Sequence, residues 1–489
     1  MDKSFSLAQI GIARRYRDML AFETKAAKLI ESVHPEQRRS ATNLIHYLAL
    51  RRTDLRDVQD ALHDIGLSSL ASSESHAMRQ VQVLMQWLDI NFSKETLSEF
   101  DAAAGTQLIR HRANNLFGKK KEDSTIPHLM VTFDSGLAND YKAVKALLKA
   151  GMNIARINCA HDAPDKWLKM IENVRRATHT TGHRCKIYLD LAGPKIRTTL
   201  LGKGRHKDQL KVKEQDVFFL AEANAVFDKK EKVVGCTLPG VVKDLQKGAR
   251  VLFDDGLFEA VVEAPGANIA TLRMTRISAA KPRLKPEKGI NFPDTELSVS
   301  SLTDFDKSVL PFALQHADLL GFSFVRSPAD VAELQSLLRK NKRPDLPIVL
   351  KIETYEAVQN LPALLLQGMA QPMFGVMIAR GDLAVEIGFE RLSEIQEEIL
   401  WLCEAAHVPV IWATQVLDTL NKRGIATRSE VTDAALAAQA ECVMLNKGKY
   451  LLTVLATLRD ILQRSGGHHA KKRYLFRPLN IAKRFLNGL

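Results

Sequence analysis

Five stretches of this 489-residue chain finish an apolar run on polar side chains, and those side chains share one chemistry. The run at 153–158 ends in Arg156-Ile157-Asn158, with His161 just behind. The run at 186–190 ends on Asp190 and leads into Gly193-Pro194-Lys195-Ile196-Arg197. The run at 347–352 ends in Lys351-Ile352-Glu353, and alternation along a strand puts Lys351 and Glu353 on one side. The run at 375–379 passes from Ala379 into Arg380-Gly381-Asp382, and 408–413 passes into Thr414-Gln415. Two carboxylates from neighbouring strands, Glu353 and Asp382, can hold a hard divalent cation, Mg²⁺ or Mn²⁺, with positions left open for substrate oxygens. Arg156, Arg197 and Lys351 place positive charge around it. A cation with several basic groups is what a phosphoryl group in transfer requires, because that reaction asks little covalent work of the protein. Each residue alone has a plainer account: Glu353 as a helix cap, Lys351 as its ion-pair partner, Arg380 and Asp382 as a loop bridge. Five strand ends converging on one chemistry favour a single site.

Such ends need strands to carry them. From about 128 onward, short apolar runs alternate with amphipathic helical segments such as 139–149 and 162–178. The runs are LMVTF (129–133), NIARIN (153–158), KIYLD (186–190), DLLGFSF (318–324), PIVLKI (347–352), GVMIA (375–379), VPVIWA (408–413) and ECVML (441–445). Eight buried strands alternating with helices predict an α/β fold, a parallel (β/α)8 TIM barrel, whose active site lies at the strand C-terminal ends. Residues 199–286, rich in Val, Phe and Asp-Gly turns, break the rhythm and read as a small inserted β-barrel lid domain. The barrel is then divided into 126–198 and 287–465. Residues 1–125 read as a helical region. Within it Thr53 is placed to cap a helix that Gly66 ends, a second helix is expected over 75–88, and no chemical constellation stands out. GKKKEDST (118–125) reads as a linker, and 466–489 as a basic C-terminal tail.

Composition narrows the class. Hydrophobic residues make up 46% and charged residues 26%, the mix of a globular protein with a core. The first twenty residues are too often interrupted by charge for a signal peptide, and no apolar run approaches the roughly 18–20 residues that span a bilayer. The five cysteines are scattered, without a CxxC pair, which argues against a disulfide framework and a zinc site. A cytoplasmic, non-membrane protein is expected. The net charge of +13 suits nucleic acid, acidic lipid or small anionic substrates. Much of it sits in the tail, so a solvated extension is expected there and nucleic acid is not expected as a partner. The pair His468-His469 reads as solvated.

The segments NIARINCAH, LAGPKIRT, KGINFP, LKIE, MIARGDLAVEI, VIWATQVL and TRSEVTDAA resemble the diagnostic segments of pyruvate kinases, in the family's order. The resemblance covers about 128–460, including the DDGL turn (254–257) of the insert. It implies transfer of the phosphoryl group of phosphoenolpyruvate to ADP, giving pyruvate and ATP. It further implies that Glu353 and Asp382 are the Mg²⁺ ligands, with the Ala379-Arg380-Gly381 backbone beside them. By the same resemblance Lys351 neutralises the moving phosphoryl group and the enolate oxygen, and Arg156 contacts phosphate. Thr414 stands near the methylene carbon, where the enolate is protonated. Arg197 and Lys288 match basic groups near the nucleotide phosphates, and His161 a nucleotide contact. A homo-oligomer is expected on the family's habit.

Departures from the pattern carry their own expectations. The family commonly binds K⁺ through Asn, Ser, Asp and Thr. Asn158 and Asp190 are kept, but Ala160 and Leu191 stand where two of those oxygens would be, Ala192 replaces a common Lys, and Lys195 replaces the usual Glu. A fixed Lys195 charge doing the cation's work predicts that K⁺ is not required; the plainer alternative makes Lys195 an exposed substitution. The nucleotide-side loops also differ, reading Phe133-Asp134-Ser135-Gly136 and Asn446-Lys447-Gly448-Lys449. The family's C-terminal regulatory domain is not expected, so neither is sugar-phosphate activation through its site. Two other functions stay open: a catalytically weak paralogue that regulates or binds a partner, and a Mg²⁺-enolate aldolase or lyase on the same barrel. Lys351, Glu353, Asp382 and Thr414 weigh against the first. The insert, Arg197 and Lys288 weigh against the second.

Overall fold

The expected apolar runs become eight parallel strands: β1 (His128–Thr132), β2 (Ile154–Asn158), β3 (Lys186–Asp190), β4 (Leu319–Phe322), β5 (Ile348–Ile352), β6 (Phe374–Ala379), β7 (Val410–Ala413) and β8 (Cys442–Leu445). In this computed structural model, which describes residues 2–67, 70–92, 97–120, 126–201, 209–227, 231–466 and two short strands beyond, each strand pairs with the next and β8 closes onto β1. The tail's remaining positions, with His468 among them, and linker positions 121–125 lie outside the described residues.

The period of two decides which side chains fill the barrel. Met130, Ile154, Tyr188, Leu319, Val349, Met377, Ile411 and Met444 point inward and form one core. Their neighbours, such as Ile348, Leu350 and Ile352, face the surrounding helices. The strand starts are plugged by helix α5 (Ala102–Phe117), whose Ala113, Leu116 and Phe117 join the interior core. Fully buried Phe117 contributes on the order of 2–3 kcal/mol there.

After β3 the chain leaves the barrel for a seven-stranded sheet that begins at Thr198–Leu200 and ends at Ile290–Asn291, with its own apolar core. Its strands Arg250–Phe253 and Phe258–Ala264 are joined through Asp254 and Asp255, both in left-handed conformation, and Gly256. Short polar residues tolerate that conformation best, which explains the Asp-Asp-Gly sequence of the turn.

The N-terminal helices α1 (Asp2–Lys25), α2 (Arg38–Arg51), α3 (Arg56–Asp64) and α4 (Ala77–Trp87) share a continuous core with the barrel's outer shell. Polar ties pin them to it: Asn43 donates to Ala405 O at 2.8 Å, and Arg112 to His407 O at 3.0 Å. One local expectation is corrected. Helix α3 starts at Arg56 after Leu55, with no side-chain cap, and Thr53 instead accepts a hydrogen bond from the nearly buried Arg15 of α1. A tertiary partner outcompeted the cap. Gly66, at φ +74°, does end the segment.

Candidate active site

Continuing the inward alternation by one more residue brings polar groups to the top of the barrel. Beyond Ile154 comes Arg156, beyond Tyr188 comes Asp190, and beyond Val349 comes Lys351. Arg156 donates from Nε to Asp190 Oδ2 at 2.9 Å and from Nη1 to Thr132 Oγ1 at 3.0 Å. Lys351 Nζ lies 3.3 Å from Asp190 Oδ2 and 3.2 Å from Glu353 Oε1, and donates to Ser323 Oγ at 2.6 Å. Room for this network depends on Gly321: a Cβ there would sit 2.2 Å from the Tyr188 hydroxyl and 2.3 Å from Asp190 Oδ1.

Burial alone would drive these groups to neutrality, so the pairings decide their charge. Burial pushes Asp190 up, but the Lys351 and Arg156 charges outweigh it and hold the carboxyl below its ordinary value. Burial works against the Lys351 ammonium, and Asp190 and Glu353 outweigh it to hold that pKa high. Glu353 goes the other way. Its burial, reinforced by the charge of Asp382, exceeds the help from Lys351 and raises its pKa.

A cavity of ≈ 400 Å³ opens over this layer, walled by the strand ends and the lid's root. It brings together Arg156, Asn158, His161, Lys195, Arg197, Lys351, Glu353, Ala379, Asp382 and Thr414. A neighbouring cavity of ≈ 590 Å³ shares Arg156, Asn158, His161 and Thr414 and adds the altered loops through Asp134, Ser135, Asn446 and Lys447. Partial burial and the charges of Lys447 and Arg197 push the His161 imidazole down, which favours its neutral form. Arg197 donates to Glu287 O at 3.0 Å.

Two of the expected side chains sit elsewhere. Lys288 is paired with Asp254 inside the lid at 2.8 Å and does not wall the cavity. The Arg380 side chain turns away: it pairs with Asp433, donates to Ala413 O at 2.9 Å and lies 4.6 Å from the Trp412 ring centroid. Gly381 acts through its amide, which donates to Thr414 Oγ1 at 2.8 Å. Thr414 has φ +65°, rare for a β-branched residue and costing on the order of 1–3 kcal/mol. The strained turn presents its hydroxyl to the cavity, and accepting from Gly381 leaves the hydroxyl proton free to be donated there.

A pyruvate kinase barrel-domain model matches residues 129–451, well over half of the chain. The chain belongs to the pyruvate kinase family. It is 33% identical over 326 residues to a pyruvate kinase of Bacillus licheniformis, and 32% over 326 residues to that of Geobacillus stearothermophilus. Each alignment covers 65% of this chain and 54% or 53% of the relative, so the chain spans about half the length of these curated relatives. The pyruvate kinase of Thermotoga maritima is 30% identical over 349 residues, with 70% of each chain covered.

Lys195 is the family member's most informative departure. Its Nζ lies 2.9 and 3.1 Å from the two oxygens of Asp382, and its side chain is about one-third exposed. Asn158 Oδ1 accepts from the Ala160 amide at 3.0 Å, while Asp190 is engaged by Arg156 and Lys351. The ammonium is therefore bound to the Asp382 carboxylate rather than standing on the surface.

The donor set fits a divalent cation: Glu353 and Asp382 wall one cavity, and the charge of Asp382 adds to the burial that raises the Glu353 pKa. Among the described residues no group of three or more His, Cys, Asp or Glu gathers around a metal-sized site. Mg²⁺ suits such a sparse set, since it is commonly held by one or two carboxylates together with substrate oxygens and water.

Two further site residues come from β4, whose end sequence reasoning left unread. Ser323 accepts from Lys351 and donates to Leu191 O at 2.6 Å, and the Phe324 amide donates to Glu353 Oε2 at 2.6 Å. Phe324 reaches it through a left-handed conformation, φ +53°. The strand-end rule applied to all eight strands would have found Ser323; nothing in the sequence signals the turned Phe324 amide.

Proposed function

We propose that the chain is a phosphotransferase that moves the phosphoryl group of phosphoenolpyruvate to ADP, giving pyruvate and ATP, with Mg²⁺ or Mn²⁺ and without a K⁺ requirement. The observation that carries this is the buried Lys351 ammonium, set between Asp190, Glu353 and Ser323 and walling one cavity with Arg156, Asp382 and Thr414. Lys351 and Arg156 neutralise the phosphoryl oxygens, whose charge is spread over the transferring group in the transition state. Because both are preorganised by Asp190, little reorganisation opposes that stabilisation. Glu353 and Asp382 would hold the divalent cation, which would supply Lewis-acid neutralisation to substrate oxygens. As the phosphoryl group leaves, Thr414 donates its hydroxyl proton toward the enolate carbon, directly or through a water. Arg197 and His161 serve the acceptor nucleotide.

The K⁺-independence rests on Lys195, whose fixed charge stands beside Asp382 where two K⁺-ligand oxygens of the family pattern are missing nearby. The protein works in the cytoplasm as an oligomer of identical chains. Consistent with that location, no helix among the described residues is long and apolar enough to cross a membrane. The test is pyruvate formation from phosphoenolpyruvate and ADP with Mg²⁺ or Mn²⁺, with and without K⁺. Turnover independent of K⁺ is expected. No turnover with any nucleoside diphosphate would move the reading to a regulatory paralogue.

A further inference from the structure

The N-terminal helices line a separate cavity of ≈ 460 Å³, which shares no lining residue with either cavity of the barrel site. That volume suits a small metabolite. One side is apolar, made by Leu20, Met78 and the rings of Tyr16 and Phe100. The other is basic, with Arg39 of α2 and Arg79 of α4 beside the buried imidazoles of His46 and His76.

The polar groups of the floor are already committed. Asn43 donates to Glu74 O at 2.7 Å and to Ala405 O at 2.8 Å, and accepts from the Ala77 amide at 3.0 Å. Gln82 Oε1 accepts from the Ser98 amide at 2.8 Å. Glu23, the one carboxylate in the lining, is bonded to His46 Nε2 at 2.8 Å, and that bond holds its pKa below the ordinary value. Asp101, an acid outside the lining, accepts from the Ala104 amide, and that bond, with a smaller contribution from the Arg79 charge, holds its pKa below the ordinary value. The guanidiniums are the groups left with donors to give. Arg79 uses one on Ser98 O at 3.1 Å, and Arg39 lies 5.2 Å from the Phe100 ring centroid; among the described residues neither has a carboxylate partner. Two forked cations facing a concave, half-apolar wall match a carboxylate or phosphate group, which guanidinium binds bidentately.

We propose that this cavity binds a small organic anion, a carboxylate or phosphate carried on a compact apolar body. Arg39 and Arg79 take the charge, and Tyr16, Met78 and Phe100 take the body. The site stands on the barrel's shoulder: Asn43 ties its floor to the end of helix Leu392–Ala405, and Phe100 packs edge-on against His407 at 5.0 Å.

Calorimetry on the full chain with phenyl phosphate, benzoate and inorganic phosphate tests it. Saturable binding of phenyl phosphate or benzoate is expected, tighter than inorganic phosphate, and the aryl anion that binds better identifies the headgroup. Arg39→Gln together with Arg79→Gln should weaken that binding at least about tenfold, the loss expected for charge-assisted hydrogen bonds. Arg39→Gln alone, at an exposed position, should weaken it several-fold with an unchanged melting temperature, which separates lost binding from lost folding. Lys351→Met should leave it intact. No saturable binding, binding indifferent to both arginines, or binding abolished by Lys351→Met would each overturn the proposal. None of these readouts depends on turnover.

Discussion

Replacing Lys351 by Met removes one of three cations, Arg156, Lys195 and Lys351, that balance three carboxylates, Asp190, Glu353 and Asp382. The cluster is left with one uncompensated negative charge, most of it buried. Two losses follow, and they separate by assay. The stability loss is that of breaking a buried ion pair by removing one partner, about 3–5 kcal/mol. A protein of ordinary stability, about 5–15 kcal/mol, survives that loss at 25 °C but melts lower. The catalytic loss is that of a preorganised charge at the transferring group, about 4 kcal/mol, or roughly 10³ in kcat. The assay is initial-rate pyruvate formation at 25 °C, with circular dichroism confirming that the variant is folded under the same conditions. Lys351→Arg is the companion variant. It keeps the charge and so most of the stability, but a planar fork cannot serve Asp190, Glu353 and Ser323 as the tetrahedral ammonium does, and kcat should still fall at least about tenfold. A folded Lys351→Met protein turning over within tenfold of the parent would refute the role given to this side chain.

Three other outcomes are expected. Thr414→Val removes the hydroxyl proposed as proton donor while keeping the shape, and should lower kcat by roughly 10²–10⁴ with little effect on the Km for phosphoenolpyruvate; a raised Km with kcat little changed would speak for substrate binding instead. Lys195→Glu changes the charge beside Asp382 by two units and should produce a K⁺ requirement or abolish turnover, so a K⁺-indifferent active variant would defeat the cation-substitution idea. Glu386, half-buried and bonded to Asn291 Nδ2 at 2.8 Å, has its pKa pushed by burial from 4.5 to about 7. Between those values the folded chain holds a proton that the unfolded chain has lost, so this group's contribution to stability falls as pH rises from about 4.5 to 7 and stays low above. Glu386→Gln should therefore gain about 2–3 kcal/mol over the parent at pH 8, after allowance for partial exposure, and almost nothing near pH 4.5. Melting temperatures across that range decide it; a constant difference would remove the titration.

The sequence by itself determined the barrel and the height at which its chemistry sits. Eight apolar runs are enough to specify eight buried strands, and the two-residue alternation that sends Ile154 and Val349 inward sends Arg156 and Lys351 inward as well. That inference is safe because alternation is a local property of extended backbone. Partnerships across elements are not local. Lys195 meets Asp382 across 187 positions of sequence, and the meeting depends on the path of the Gly193-Pro194 turn and on where the lid's root leaves the barrel. Arg380 follows the same motif as Asp382, yet Asp433 and the Trp412 ring draw its side chain out of the cavity. Thr53 reads as a helix cap until Arg15 arrives from another helix. The cavity among the N-terminal helices left no trace in the sequence, because its arginines, histidines and rings come from four separate segments that only packing brings together. Spacing sets the direction a side chain takes within its own element. Which charge it answers is settled by the turns and contacts that bring the elements together.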